Sequence, residues 1–208
     1  RGVSVRCNVS KAEPQEVYDM LKKQGISVKK SELFDYAFSI DDFDRLQDVE
    51  ALKKGYIQVQ DFSSILAGHI PEIKGGENII DICAAPGGKT LHIADRLNDR
   101  KLNGGGKIIS CDLTDAKTAL IKENVERNGF ENVSVVKNDA LAFKKEWEDT
   151  ADIVIADLPC SGLGVIGKKC DIKYKTSIED INALSEIQRE ILKNVSRYLK
   201  KGGQLLYS

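Results

Sequence analysis

The sequence predicts an α/β protein: a parallel, doubly wound sheet over residues 55–208, preceded by a small α/β unit over residues 1–54. Three observations predict it. From Asn78 onward, apolar runs of strand length alternate with runs of helix length, which is the pattern of βαβ units. The first such run, Asn78 to Cys83, leads directly into Ala84-Ala85-Pro86-Gly87-Gly88-Lys89-Thr90, a glycine turn that opens a helix. The last helical run, Ile178 to Leu199, puts Ile181, Leu184, Ile187, Ile191, Val195 and Tyr198 on one stripe, as a helix laid along a sheet requires.

Along the chain, Gly2 to Cys7 alternates as a strand. Pro14 to Gln24 reads as a helix with proline at its start, Val17, Met20 and Leu21 at helical spacing, and Gly25 as its stop. Ala37 to Ile40 is the next strand and Asp41 to Asp44 a turn. Tyr56 to Val59 is β-rich, and Ser63 to His69 is a short helix before Pro71. Asn78 to Cys83 has the composition of a buried parallel strand, and the helix after it carries Leu91, Ile93, Ala94 and Leu97. Lys107 to Cys111 is a strand ending at Asp112, and Ala116 to Asn128 a helix closed by Gly129. Val133 to Val136 is a strand followed by Asn138 and Asp139, and Asp152 to Ala156 one ending at Asp157. Lys200, Lys201 and Gly202 end the long helix, and Gln204 to Tyr207 opens a fifth strand.

A formal charge of −1 gives no global field for nucleic acid. The basic pairs are solvated surface, apart from the run Lys168 to Lys175, which carries four lysines against one acid. No apolar run approaches the length of a membrane span. The five cysteines (Cys7, Cys83, Cys111, Cys160, Cys170) form no CxxC pair, so neither a metal site nor a disulfide framework is expected, and a reducing, cytoplasmic setting fits. His69 and His92 sit alone among apolar neighbours and read as structural. Arg1 and Ser208 are expected to be cuts in a longer protein, and the protein to be a monomer.

The glycine turn has three readings. Gly88-Lys89-Thr90 matches the end of a nucleotide-hydrolase phosphate loop, but that loop needs glycine where Cys83 stands. A nucleoside cofactor across the strand ends is the second, and a ligand-free strand-to-helix turn the third. Asp112, Asp139 and Asp157 follow successive strands, and Asp112 lies 25 residues after Gly87, near the spacing at which an acid reaches a ribose. A carboxylate accepts hydroxyl donors but repels phosphate, which suits an adenosine without phosphates; Asp139 is placed to accept the adenine amine. Aspartates also start turns. Ile153 to Asp157 also has the form of a magnesium-holding strand end. What that leaves unexplained is Pro159-Cys160-Ser161-Gly162-Leu163-Gly164, where Cys160 is a candidate nucleophile or acid/base in a lysine-flanked loop.

Together, Cys83-Ala84-Ala85-Pro86-Gly87-Gly88-Lys89-Thr90, Asp112, Asp139 and Asp157-Leu158-Pro159-Cys160-Ser161-Gly162 resemble the RNA (cytosine-5) methyltransferases of the Sun/Fmu/Nop2 group. Val59-Gln60-Asp61 with Ser63 is similar to the segment leading into the catalytic domain there, and Arg6-Cys7-Asn8 to the Arg-x-Asn of the domain before it. Gly164-Val165-Ile166 to Asp171-Ile172-Lys173 looks most like bacterial members acting on 16S ribosomal RNA. The resemblance covers essentially the whole chain. It implies a Rossmann-like class I S-adenosylmethionine domain, truncated after its fifth strand, preceded by an RNA-contacting unit. It implies that Cys83, Ala84, Ala85, Pro86, Gly87, Gly88 and Lys89 cradle the methionine part of S-adenosyl-L-methionine. Asp112 is then the ribose ligand, Asp139 the adenine ligand, and Asp157 a cofactor ligand on the side near the target base.

In that family one cysteine attacks C6 of an unstacked cytosine and Cys160 would help to release product. The attacking cysteine is expected just past the strand that begins at Gln204, so these 208 residues are expected to bind S-adenosylmethionine without turning over, RNA being the partner that the family implies. Leu158, where alanine is usual, is a departure. No metal and no membrane enter this reading; a P-loop-like nucleotide hydrolase and a non-catalytic RNA-binding relative are the alternatives.

Overall fold

The computed structural model describes residues 2–99, 102, 105–160 and 177–208. Two sheets organise them. The first is antiparallel, in the order β2-β3-β1-β4, with β1 Val3–Cys7, β2 Ser27–Lys30, β3 Ala37–Asp41 and β4 Ile57–Val59. Helix α1 (Pro14–Lys23) lays Val17 and Leu21 on one face of this sheet, against Val5, Cys7, Phe38 and Ile40. A one-turn helix α2 (Glu50–Lys53) adds Ala51 and Leu52 to the same core.

Two details depart from the sequence reading. Strand β2 is not expected from the pattern, because only Val28 of its four residues is buried. An edge strand needs one inward side chain and a backbone ladder, here Ser27↔Asp41 to Lys30↔Phe38, and leaves no alternation to read. Strand β4 lies beyond the expected break at residues 54/55 yet pairs with β1, Val5 opposite Val59 and Cys7 opposite Ile57. We propose that the boundary between the units falls after Val59.

Helix α3 (Phe62–His69) then leads to a parallel sheet, β7-β6-β5-β8-β9. Its strands are β5 Asn78–Ile82, β6 Lys107–Asp112, β7 Val133–Lys137, β8 Ala151–Ala156 and β9 Leu199–Tyr207. Helices α4 (Gly88–Leu97) and α5 (Asp115–Asn128) cover one face through Leu91, Ile93, Leu97, Ile121 and Val125. Helix α6 (Ile178–Ser196) covers the other through Ile191 and Val195. The doubly wound sheet is thus present, and the strand order reverses at β5, between β6 and β8, where open α/β sheets bind ligands.

The long helix is shorter than its pattern. It ends at Ser196, and Lys200 to Gly203 lie inside β9, whose register against β8 shifts between Ala151↔Leu199 and Ile153↔Gln204. Gly202 at φ 82° lets the strand bulge there, while Lys200 Nζ is held by both oxygens of Asp152 at 2.8 Å. Ile191, Val195 and Tyr198 are buried, whereas Ile178, Ile181 and Ile187 at the other end of the stripe are exposed. Leu158, the departure noted in the sequence, fills space beside Ile191 and Ala156 and is 5% exposed.

Candidate functional site

Strand β5 stops at Ile82 because Cys83 turns to φ 61° and Gly87 to φ 103°. Gly87 is the N-cap of α4, and its left-handed conformation is one that a Cβ disfavours. The turn is braced from within. Ala84 N donates to Cys111 O at 2.9 Å, Ala85 N to Asp112 Oδ2 at 3.0 Å and Gly87 N to Ala84 O at 2.7 Å. The amides of the first turn of α4 have no carbonyl of their own helix to bond and carry the partial positive charge of a helix N-terminus.

The three predicted aspartates lie at the same rim, but not on one side of the turn. Asp112, at the end of β6, is 2% exposed; its oxygens accept from Ala85 N, from Leu113 N at 2.8 Å and from Lys117 Nζ at 2.9 Å. Asp139 follows β7, is exposed, and accepts from Leu141 N at 2.9 Å, which is the turn-starting role of an aspartate. Asp157, at the end of β8, lies across the turn from these two. Its Oδ2 accepts from Lys89 Nζ at 2.6 Å and its Oδ1 from Ser208 Oγ at 2.9 Å.

These contacts count against the phosphate-loop alternative. Lys89 pairs with Asp157 at 2.6 Å. Thr90, which would have to reach a nucleotide's metal, is fully buried with its hydroxyl bonded to Asp81 Oδ2 at 2.5 Å and Ser110 Oγ at 2.8 Å.

Cys160 is exposed, and the backbone before it is anchored by Leu158 N to Ser208 O at 3.2 Å and Gln188 Nε2 to Pro159 O at 2.8 Å. Cys170, the run Lys168 to Lys175 and the segment after Cys160 through Thr176 lie outside the described residues. Cys83 is a poor nucleophile by environment: burial, with Asp112 beside it, pushes its thiol up to about 12. Both histidines are structural. His69 Nδ1 meets Tyr36 Oη at 2.9 Å, and His92 is 1% exposed, held neutral by desolvation against Gly68.

Sequence reasoning missed Asp81, Asn138, Leu113 and Leu141. Asp81 is a fully buried carboxylate in the central strand, where burial pushes its pKa up to about 7. A charge inside an apolar run is itself the signal, since buried carboxylates need partners. Asn138 is 6% exposed and its Nδ2 has no partner among the described residues. Leu113 and Leu141, one residue past Asp112 and two past Asp139, are 53% and 47% exposed and make the rim apolar there.

The family model described as 16S rRNA methyltransferase RsmB/F matches residues 70–208. The probable ribosomal RNA small subunit methyltransferase B of Bacillus subtilis is 35% identical over 99% of this chain and 45% of its own length. The corresponding Vibrio vulnificus protein is 32% identical over 98% of this chain and 46% of its own length. Among solved structures, PH0851 superposes with a TM-score of 0.91 at 33% identity, over 99% of this chain and 46% of that one. A methyltransferase homolog protein from Pyrococcus horikoshii superposes at 0.82 with 26% identity, over 98% of this chain and 63% of that one. The chain spans about half the length of the curated relatives it matches. A family model that matches 139 of the 208 residues and a relative 35% identical along nearly the whole chain show that the chain belongs to the 16S rRNA methyltransferase RsmB/F family.

Proposed function

We propose that this chain holds S-adenosyl-L-methionine at the rim around β5 and forms the cofactor-binding part of an enzyme that methylates C5 of a cytosine in 16S ribosomal RNA. The observation that carries the reading is the Lys89–Asp157 contact of 2.6 Å. It occupies the lysine with a carboxylate and leaves a turn flanked by Asp112 and Asp157, an acceptor set for a cofactor with hydroxyls and positive charge.

The residues fit that cofactor. The first-turn amides at Gly88 and Lys89 suit its carboxylate, with Cys83, Ala84, Ala85, Pro86 and Gly87 shaping the turn. Asp112 suits the ribose hydroxyls, exchanging its contact with the half-exposed Lys117. Asp139, the orphaned Asn138 amide, Leu113 and Leu141 suit the edge and faces of an adenine. When bound, the cofactor supplies an electrophilic methyl group. Asp157 and Cys160 stand on the opposite flank, where the target base belongs, with Cys160 assisting product release and a second cysteine attacking C6. A cytoplasmic location and an RNA partner follow from that substrate.

Two measurements test it. Ultraviolet cross-linking with methyl-tritiated S-adenosylmethionine should label a peptide from the Cys83–Thr90 turn or the strand ends at Asp112, Asp139 and Asp157; label spread over the surface contradicts the site. Bisulfite sequencing of 16S ribosomal RNA from cells lacking the gene should show loss of one protected cytosine; an unchanged pattern contradicts the activity.

A further inference from the structure

Asp81 has no role in the reading above, and its surroundings give it one. Its side chain is fully buried in β5, Oδ2 lies 2.5 Å from Thr90 Oγ1, and Thr90 Oγ1 lies 2.8 Å from Ser110 Oγ. Asp81 Oδ1 has no partner among the described residues. Thr90 belongs to the first turn of α4, directly after Gly88 and Lys89. A carboxyl group, a threonine and a serine in a row can keep both hydrogen bonds in either charge state. With Asp81 ionised, Ser110 donates to Thr90 and Thr90 to Asp81. With Asp81 protonated, Asp81 donates to Thr90 and Thr90 to Ser110.

We propose that Asp81 is a positioning residue for the cofactor, holding the first turn of α4 through Thr90 and Ser110, and that its charge state sets the affinity of the rim for S-adenosylmethionine. The inference rests on the cofactor reading above. The groups facing Asp81 are Lys89 and Thr90 of α4, Ser110, Cys111 and Asp112 of β6, Asp157 after β8, and Cys83 in the turn. Asp112 and Asp157 favour the protonated form and Lys89 the ionised one. The thiols of Cys83 and Cys111 are both pushed far above neutrality by burial. Asp81, pushed up to about 7 chiefly by desolvation, thus changes charge near neutral pH.

The cofactor carries a sulfonium and an ammonium against one carboxylate. A bound net cation favours ionised Asp81, so binding lowers its pKa, and protonation weakens binding by the same factor. A shift of one unit corresponds to about tenfold in affinity.

The test uses the 208-residue chain and two readouts. In wild-type protein, carbon-13 carboxyl resonances are followed from about pH 5 to about pH 8.5 with and without saturating S-adenosylmethionine, a range that spans the raised midpoint. An Asp81 midpoint near neutrality that falls when cofactor is bound supports the proposal; an ordinary midpoint near about 4, or one that cofactor does not move, overturns it. Calorimetric dissociation constants at about pH 6 and about pH 8 are then compared with those of Asp81→Asn, whose profile contains the ligand's own ionisation. Wild type should lose about threefold to tenfold more affinity on going to the lower pH than the variant, and parallel profiles overturn the proposal. Binding by wild type with parallel profiles rejects Asp81 alone, whereas no binding by wild type at either pH rejects the cofactor reading and the inference with it.

Discussion

Arg6 Nη1 donates to Asp95 Oδ2 at 2.9 Å, and both side chains are buried, at 0% and 2% exposure. Arg6 lies in the first strand of the antiparallel sheet; Asp95 lies on α4, the helix that begins at the glycine turn. Asp95 also accepts from Val9 N at 2.9 Å, from Ser10 N at 2.9 Å and from Ser10 Oγ at 2.6 Å. One carboxylate therefore ties the small unit to the helix that shapes the site, and Asn8 Nδ2 adds a second tie to Asn128 Oδ1 at the end of α5.

Removing one member leaves the other buried and uncompensated. Asp95→Ala should lower the unfolding free energy by about 3–5 kcal/mol, read from urea unfolding by circular dichroism. A loss below about 1 kcal/mol, the scale of a surface pair, would show that the pair is not holding the units together.

Gly87→Ala should cost about 1–3 kcal/mol through backbone conformation alone. The φ of 103° is the reason; space is not, because an added Cβ would meet Ile121 no closer than 3.5 Å. Thermal unfolding measures the cost, and because the residue shapes the turn, affinity for S-adenosylmethionine should fall as well. An unchanged melting temperature and affinity would mean that the turn does not need glycine.

Stability should depend on pH through Asp81. Its folded pKa is raised to about 7 from an ordinary value near about 4, so between those values the folded chain holds a proton that the unfolded chain has released. Stability from this group is present at low pH and is lost as pH rises through about 4 to 7. His92 acts in the opposite sense: desolvation lowers its pKa, so the unfolded chain alone takes up a proton below about 6.5 and stability falls there. Asp81→Asn removes the first effect and keeps the second. The variant should gain stability relative to wild type between about pH 4.5 and about pH 8, measured by denaturant unfolding; a constant difference contradicts a raised Asp81.

The parallel half of the fold is legible because its central strands β5, β6 and β8 are largely buried and its helices are amphipathic. Periodicity and the Gly87-Gly88 punctuation mark β5, α4, β6, α5, β7 and β8 to within a residue or two. Where the backbone rather than side-chain burial decides, pattern carries less. Strand β2 is held by its ladder with one buried residue, and the bulged start of β9 runs through two lysines and two glycines that read as a helix stop. Within the site, the residue types at Asp112, Asp139 and Asp157 are readable, since acids at strand ends are few. Their arrangement on both flanks of the turn is not, because it depends on strand order, β7-β6-β5-β8, which the chain order hides. Asp95 reads as an ordinary member of a charged helix and reveals its role only when its donors from a distant segment are seen, whereas Asp81 stands out as a charge in an apolar run and only its partners Thr90 and Ser110 need the structure.

The central claim is tested most directly by isothermal titration of the 208-residue chain with S-adenosylmethionine and, separately, with magnesium-ATP. The account predicts saturable one-to-one binding of S-adenosylmethionine, weakened at least about tenfold in Asp112→Ala, and no heat from magnesium-ATP. Saturable binding of magnesium-ATP, or S-adenosylmethionine binding that Asp112→Ala leaves intact, would contradict it.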